Sequence, residues 1–94
     1  MTNLLGLAKK ANKLIKGTPV VLDKLRKKQL SLIILAEDAS LNTKKQILSK
    51  SDHYGCPTMI IDGIKLNQAI GQTNVKVIGI IDQGFANSII KKGS

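Results

Sequence analysis

The sequence predicts an α/β fold: a three-layer α/β/α sandwich around a central four-stranded sheet, mostly parallel or mixed. Three observations carry this. Leu30–Ala36, Thr58–Ile61 and Val75–Ile81 are unbroken apolar runs of strand length, the pattern of strands covered on both faces. Each run is followed by a residue able to cap a helix and then by helical periodicity, which points to a mainly parallel sheet with helices on both sides. The alternation continues to the end of the chain without a repeat, a low-complexity tract or a linker. The 94 residues therefore form one domain, spanning 1–94.

The elements follow in order. Leu4, Leu5, Leu7, Ala8 and Ala11 recur at helical spacing, with Asn3 as the cap. Lys13–Lys16 is a short extended stretch closed by Gly17. Thr18-Pro19 starts a helix, proline at the first position being harmless because its missing N–H has no intrahelical partner there. Val21, Leu22 and Leu25 turn inward on that helix, while Lys24, Lys27 and Lys28 turn outward. After the strand Leu30–Ala36, Asp38 and Ser40 cap a helix that Gly55 and Pro57 close. Thr58–Ile61 leads to a helix capped by Asp62 and ended by Gly71. Val75–Ile81 leads to a last helix capped by Asp82, with Phe85, Ala86, Ile89 and Ile90 inward, and Lys91–Ser94 form a fraying tail.

Charge then bounds the function. The chain carries +9 at neutral pH, and residues 1–50 hold eleven Lys/Arg against three acids. Such asymmetry favours a polyanionic partner, because binding releases the counterions condensed on phosphates. The alternative is a solvated basic face that serves solubility. Only Tyr54 and Phe85 are aromatic, too few to supply stacking platforms as well as core. Nucleic-acid binding here would use charge, backbone amides and shape. A single cysteine, Cys56, excludes an internal disulfide and fits a reducing compartment. With no membrane-length apolar run and no signal-peptide core, the expected location is cytoplasmic, with no membrane partner.

The strongest local constellation is Lys16-Gly17-Thr18-Pro19 opening a helix that carries Lys24 and Arg26 and leads into Lys27 and Lys28. A helix start offers unsatisfied N–H groups and partial positive charge, both suited to phosphate oxygens. The plainer reading is a strand-to-helix turn with a solvated basic face. Glu37 and Asp38 are adjacent and so diverge in direction, which suits capping better than acid–base catalysis. His53 and Cys56 are too few ligands for a metal and lack an orienting group for nucleophilic catalysis. The expectation is no enzyme, no cofactor and no metal.

Four segments carry a family likeness: Leu5-Gly6-Leu7-Ala8-Lys9-Lys10-Ala11; Leu35-Ala36-Glu37-Asp38-Ala39-Ser40 with Asn42-Thr43-Lys44-Lys45; Ala69-Ile70-Gly71; and Asp82-Gln83-Gly84-Phe85-Ala86. In this order they resemble the bacterial YlxQ-type ribosomal proteins, of the kink-turn-binding superfamily of the large ribosomal subunit (the L-seven-Ae and L-thirty-e type). The resemblance implies an α/β/α sandwich and non-catalytic binding of structured RNA, ribosomal or kink-turn-like. It implies contacts at Gly17 and the helix start, and at the segment Gly71-Gln72-Thr73-Asn74-Val75-Lys76. The expected RNA-binding residues are Lys16, Gly17, Thr18, Lys24, Arg26, Lys27, Lys28, Lys44, Gln72, Thr73, Asn74 and Lys76. Where the family presents polar side chains and a lysine to sheared G·A pairs, this chain has Pro19, Val20 and Asp23. Proline and valine form no side-chain hydrogen bonds, and a carboxylate repels phosphate. The competing expectation is a protein-interaction module derived from an RNA binder.

Overall fold

Leu32–Ala36 (β2) is buried at every position because it has neighbours on both edges and helices on both faces. The computed structural model describes residues 2–93 and runs α1 (Thr2–Lys10), β1 (Leu14–Lys16), α2 (Thr18–Arg26), β2, α3 (Leu41–Tyr54), β3 (Thr58–Ile61), α4 (Gly63–Ile70), β4 (Val77–Ile80) and α5 (Gln83–Gly93). The sheet order is β1-β4-β2-β3. Leu32, Ile34 and Ala36 pack with α1, α4 and α5, whereas Ile33 and Leu35 pack with α2 and α3. That alternation of side chains along one strand builds the predicted three layers.

The sheet is mixed, and only the β2–β3 pairing is parallel; β4 runs antiparallel to both β1 and β2. Of the two expected arrangements, mostly parallel or mixed, the sheet has the mixed one. Unbroken apolar runs report burial on both faces, which helices provide whatever the direction of a strand. The reversal comes from the segment after α4. Asn67 donates through Nδ2 to the Gly63 and Val75 carbonyls (2.8 and 3.0 Å) and accepts from the Val75 N–H (2.9 Å), folding residues 71–75 back along the helix. The chain thus enters β4 at the end of the sheet where β3 left it.

Local signals hold with some adjustments. Ser40 caps α3, accepting from the Thr43 N–H at 3.2 Å, and Gly55 ends that helix at φ 70°. Asp82 accepts from the Phe85 N–H at 2.9 Å. Asp38 does not cap, and Asp62 makes no side-chain cap hydrogen bond, its backbone carbonyl accepting from Leu66 instead. Pro19 takes the second helical position, behind Thr18. The expected cap at Asn3 lies outside the side chains described. Lys91 and Lys92 extend α5 rather than fray, and Ser94 lies outside the described residues.

Candidate nucleic-acid interface

Because β1, β2 and β3 run one way and α2, α3 and α4 follow them, one end of the sheet gathers three helix N-termini. Onto this end fold the β1–α2 turn and residues 71–76. At the turn, Gly17 has φ 97° and ψ 140° and donates its N–H to the Val77 carbonyl at 2.9 Å. A side chain is strongly disfavoured at such dihedrals. Thr18 and Val20 N–H groups lie in the first turn, where no preceding helical carbonyl can meet them, and Pro19 has none to offer.

Opposite the turn, Asn74 adopts the left-handed conformation at φ 58°, and Gly71 closes α4 at φ 66°. Lys16, Gly17, Thr18, Asn74, Val75, Lys76 and Val77 enclose an open groove of about 420 Å³. It adjoins a shallower concavity of about 380 Å³ that includes Gln72, Thr73, Asn74 and Lys76. The two predicted regions, Lys16–Thr18 and Gln72–Lys76, are separated by more than fifty residues in sequence and meet here.

Asp38 enters the same site, as sequence reasoning did not foresee. Its Oδ2 accepts from Lys76 Nζ at 2.6 Å. Gly63 makes room: a Cβ there would overlap the Asp38 carboxylate. The Lys76 hydrogen bond holds the Asp38 carboxyl below the ordinary carboxylate range against partial desolvation, with further help from the charges of Lys76 and Lys44. Lys44, on the first turn of α3, thus belongs to this end. Nothing local in the sequence signals the ion pair, which joins residues 38 positions apart.

The remaining predicted cations are not gathered here. Lys24, Arg26, Lys27 and Lys28 occupy the far end of α2, Lys27 roughly 13 Å along the axis from Thr18 at 1.5 Å per residue. Three have partners within the chain: Arg26 and Lys27 reach Asp23 at 3.8 and 3.1 Å, and Lys24 Nζ donates to Gln29 Oε1 at 3.3 Å. The four cations lie along α2 from Lys16 and do not line the groove. Asn67, which pins the 71–75 segment, was also missed; its only sequence signal is an amide side chain inside a short helix. His53 is exposed and meets Tyr54 edge-on, and the described residues hold no group of three His, Cys, Asp or Glu able to bind a metal. No helix among them is long and apolar enough to cross a membrane.

A mixed-sheet α/β/α domain with a basic groove between a glycine-led helix start and a folded-back loop defines a class of small binding domains. The family model for the ribosomal protein L7Ae/L30e/S12e/Gadd45 family matches residues 1–90, and the chain belongs to that family. It is 38% identical over 88 residues to the RNA-binding protein YlxQ of Bacillus subtilis (strain 168), covering 93% of this chain and 88% of that protein. It is 40% identical over 85 residues to the RNA-binding protein YlxQ of Enterococcus faecium, covering 89% and 82%. Among solved structures, a protein of unknown function from Bacillus halodurans C superposes with TM-score 0.92 at 35% identity, covering 96% of this chain and 92% of that one. The Giardia lamblia 15.5kD RNA binding protein shares the fold, with TM-score 0.84 at 19% identity and coverage of 97% and 82%.

Proposed function

We propose that this protein is a non-enzymatic, cytoplasmic RNA-binding protein, associated with translation or the ribosome, that holds structured, kink-turn-like RNA at the end of the sheet just described, through the RNA backbone rather than through its G·A pairs. The observation that carries the reading is the groove itself, which Lys16, Thr18 at the α2 start, Asn74 and Lys76 line together. Phosphates meet cations and amide donors there, and the polar side chains of Gln72, Thr73 and Asn74 border them. Membership of the family and the similarity to two proteins named as RNA-binding support it. With Pro19 and Val20 at the helix start, backbone contact outweighs side-chain readout of G·A pairs.

The test is a titration against a kink-turn RNA and the same RNA with its G·A pairs changed, at several salt concentrations. Salt-sensitive binding of similar strength to both is expected, log K falling by about 0.7–0.9 per phosphate neutralised for each decade of salt. Strong binding lost with the G·A pairs would mean that the helix start still reads the motif. Absence of binding at low salt would reject the proposal in favour of protein docking, for which Val20, 45% exposed beside Pro19, is the specific support. Paired charge reversals locate the contact: Lys16→Glu with Lys76→Glu should weaken binding more than Lys27→Glu with Lys28→Glu.

A further inference from the structure

Residues 71–76, which border the proposed RNA site, spring from the C-terminus of α4, and the last carbonyls of a helix have no partner within it. Two of them are met by the chain that follows. Gly71, left-handed at φ 66°, donates its N–H to the Gln68 carbonyl at 3.4 Å, and Gln72 donates to the Asn67 carbonyl at 3.0 Å. A third, that of Ile70, is met from α1. Lys9 Nζ, 61 positions away in the chain, donates to it at 2.5 Å.

The sequence of α1 brings this ammonium into place. Gly6 and Lys9, three residues apart, share a face of the helix. At Gly6 a Cβ would stand 3.3 Å from the Ala69 carbonyl oxygen, tighter than ordinary contact, so the glycine admits the end of α4 against the α1 backbone. Lys9, one turn on, reaches the root of the segment, its Nζ 3.9 Å from where a Gly71 Cβ would be. Lys9 also falls in the last turn of α1 itself. One ammonium thus answers the negative ends of two helix dipoles. Residues 71–75 are in this way held at both ends, by Asn67 at Val75 and by Lys9 at the exit of α4.

We propose that Lys9 is a positioning residue of the RNA site. It fixes the exit of α4, and through it the placement of Gln72, Thr73 and Asn74, without itself meeting the RNA. The inference rests on the function proposed above and adds to it a cation whose work is done inside the fold. Lys9 stands outside the residues that line the groove and the adjoining concavity, and its ammonium is engaged by the Ile70 carbonyl. Removing that ammonium leaves the carbonyl without its partner and deprives α1 of its polar tie to the root of the segment. The polar side chains that border the RNA then lose a fixed starting point, although no phosphate contact has been removed.

The test combines amide hydrogen exchange with titration of a kink-turn RNA across a salt series, on the full chain carrying Lys9→Met or Lys9→Arg, with circular dichroism to verify folding. In Lys9→Met the Gln72 and Val75 amides should exchange about tenfold faster, while the amides of β2 keep their protection. RNA affinity should fall about three- to tenfold with the slope of log K against log salt unchanged. Lys9→Arg, which restores a donor and a charge, should recover both. A slope reduced by about 0.7–0.9 would overturn the proposal, because it would make Lys9 a phosphate contact. Unchanged exchange at Gln72 and Val75 would overturn it as well, whether or not RNA binds. Wild-type affinity in Lys9→Met would reject this inference alone, whereas a wild type that binds no RNA at low salt would reject the proposed function and the role of Lys9 with it.

Discussion

Under the proposed function Asp38 competes with RNA for Lys76, and replacing it with asparagine should tighten binding. The carboxylate occupies the Lys76 ammonium at 2.6 Å, and both side chains retain solvent access, 60% for Asp38 and 38% for Lys76. A phosphate must therefore displace a ligand already in place. Asp38→Asn keeps the shape and removes the charge, returning one cation to the groove. One more phosphate neutralised steepens the slope of log K against log salt by about 0.7–0.9. Between ~1 M and ~0.1 M salt that slope amounts to about five- to eightfold tighter binding at the lower concentration. The assay is fluorescence anisotropy with one labelled RNA across a salt series. Acid provides a second axis. Because the folded pKa of Asp38 is lowered, the ion pair stabilises the fold above the ordinary carboxylate pKa and is lost as pH falls through the lowered value. The wild type should thus approach the variant only below the usual carboxylate range. Weaker binding by Asp38→Asn with an unchanged slope would refute competition and mean that Asp38 orients Lys76 for its ligand.

Three further substitutions separate the frame of the site from its charge. Gly17→Ala places a Cβ in open space, so its cost is backbone strain alone at φ 97°, about 1–3 kcal/mol by urea unfolding; a loss below about 0.5 kcal/mol would mean that the turn is not constrained. Asn67→Ala removes three hydrogen bonds that hold residues 71–75 and should cost about 1–3 kcal/mol. It should also weaken RNA binding without changing the salt slope, since no cation is lost; full retention of affinity would show that the loop holds its shape without it. Thr58→Val should raise stability by about 1 kcal/mol, because the buried Thr58 hydroxyl has no hydrogen-bond partner. A fall in the thermal midpoint would show that the hydroxyl is satisfied.

The layers were legible because they rest on short-range patterns. Leu32 to Ala36 cannot be apolar throughout unless covered on both sides, and Ser40, Gly55, Gly71 and Asp82 carry their capping roles in their own chemistry. Strand direction was not legible, because it depends on Asn67 returning the chain to the end it had left. The site divides in the same way. Lys16-Gly17-Thr18 announces itself as a helix start beside a cation, and the family likeness adds Gln72 to Lys76. No local pattern indicates that Asp38 prefers Lys76 to the helix it precedes, or that Gly63 is small because Asp38 lies over it. Those are facts of packing, fixed by residues remote in sequence.

Asp23 illustrates how packing revises a sequence-based inference. At the position where the family carries a lysine, its carboxylate reads as a repulsive charge next to the proposed phosphate site. In the fold it reaches Arg26 and Lys27, one turn farther along α2 and away from Gly17. These pairs are exposed and contribute little to stability. Their electrostatic consequence is larger than their energy. They place Asp23 among cations at the far end of the helix and reduce the net charge of that end, so that it is less dominant than its four basic residues imply. The cluster still lies along the helix from the groove, which Lys16 and Lys76 line. Under the proposed function Asp23 supplies no attraction at the helix start but sets no bare negative charge against the RNA backbone, and the expected phenotype is weakened G·A readout with retained phosphate binding.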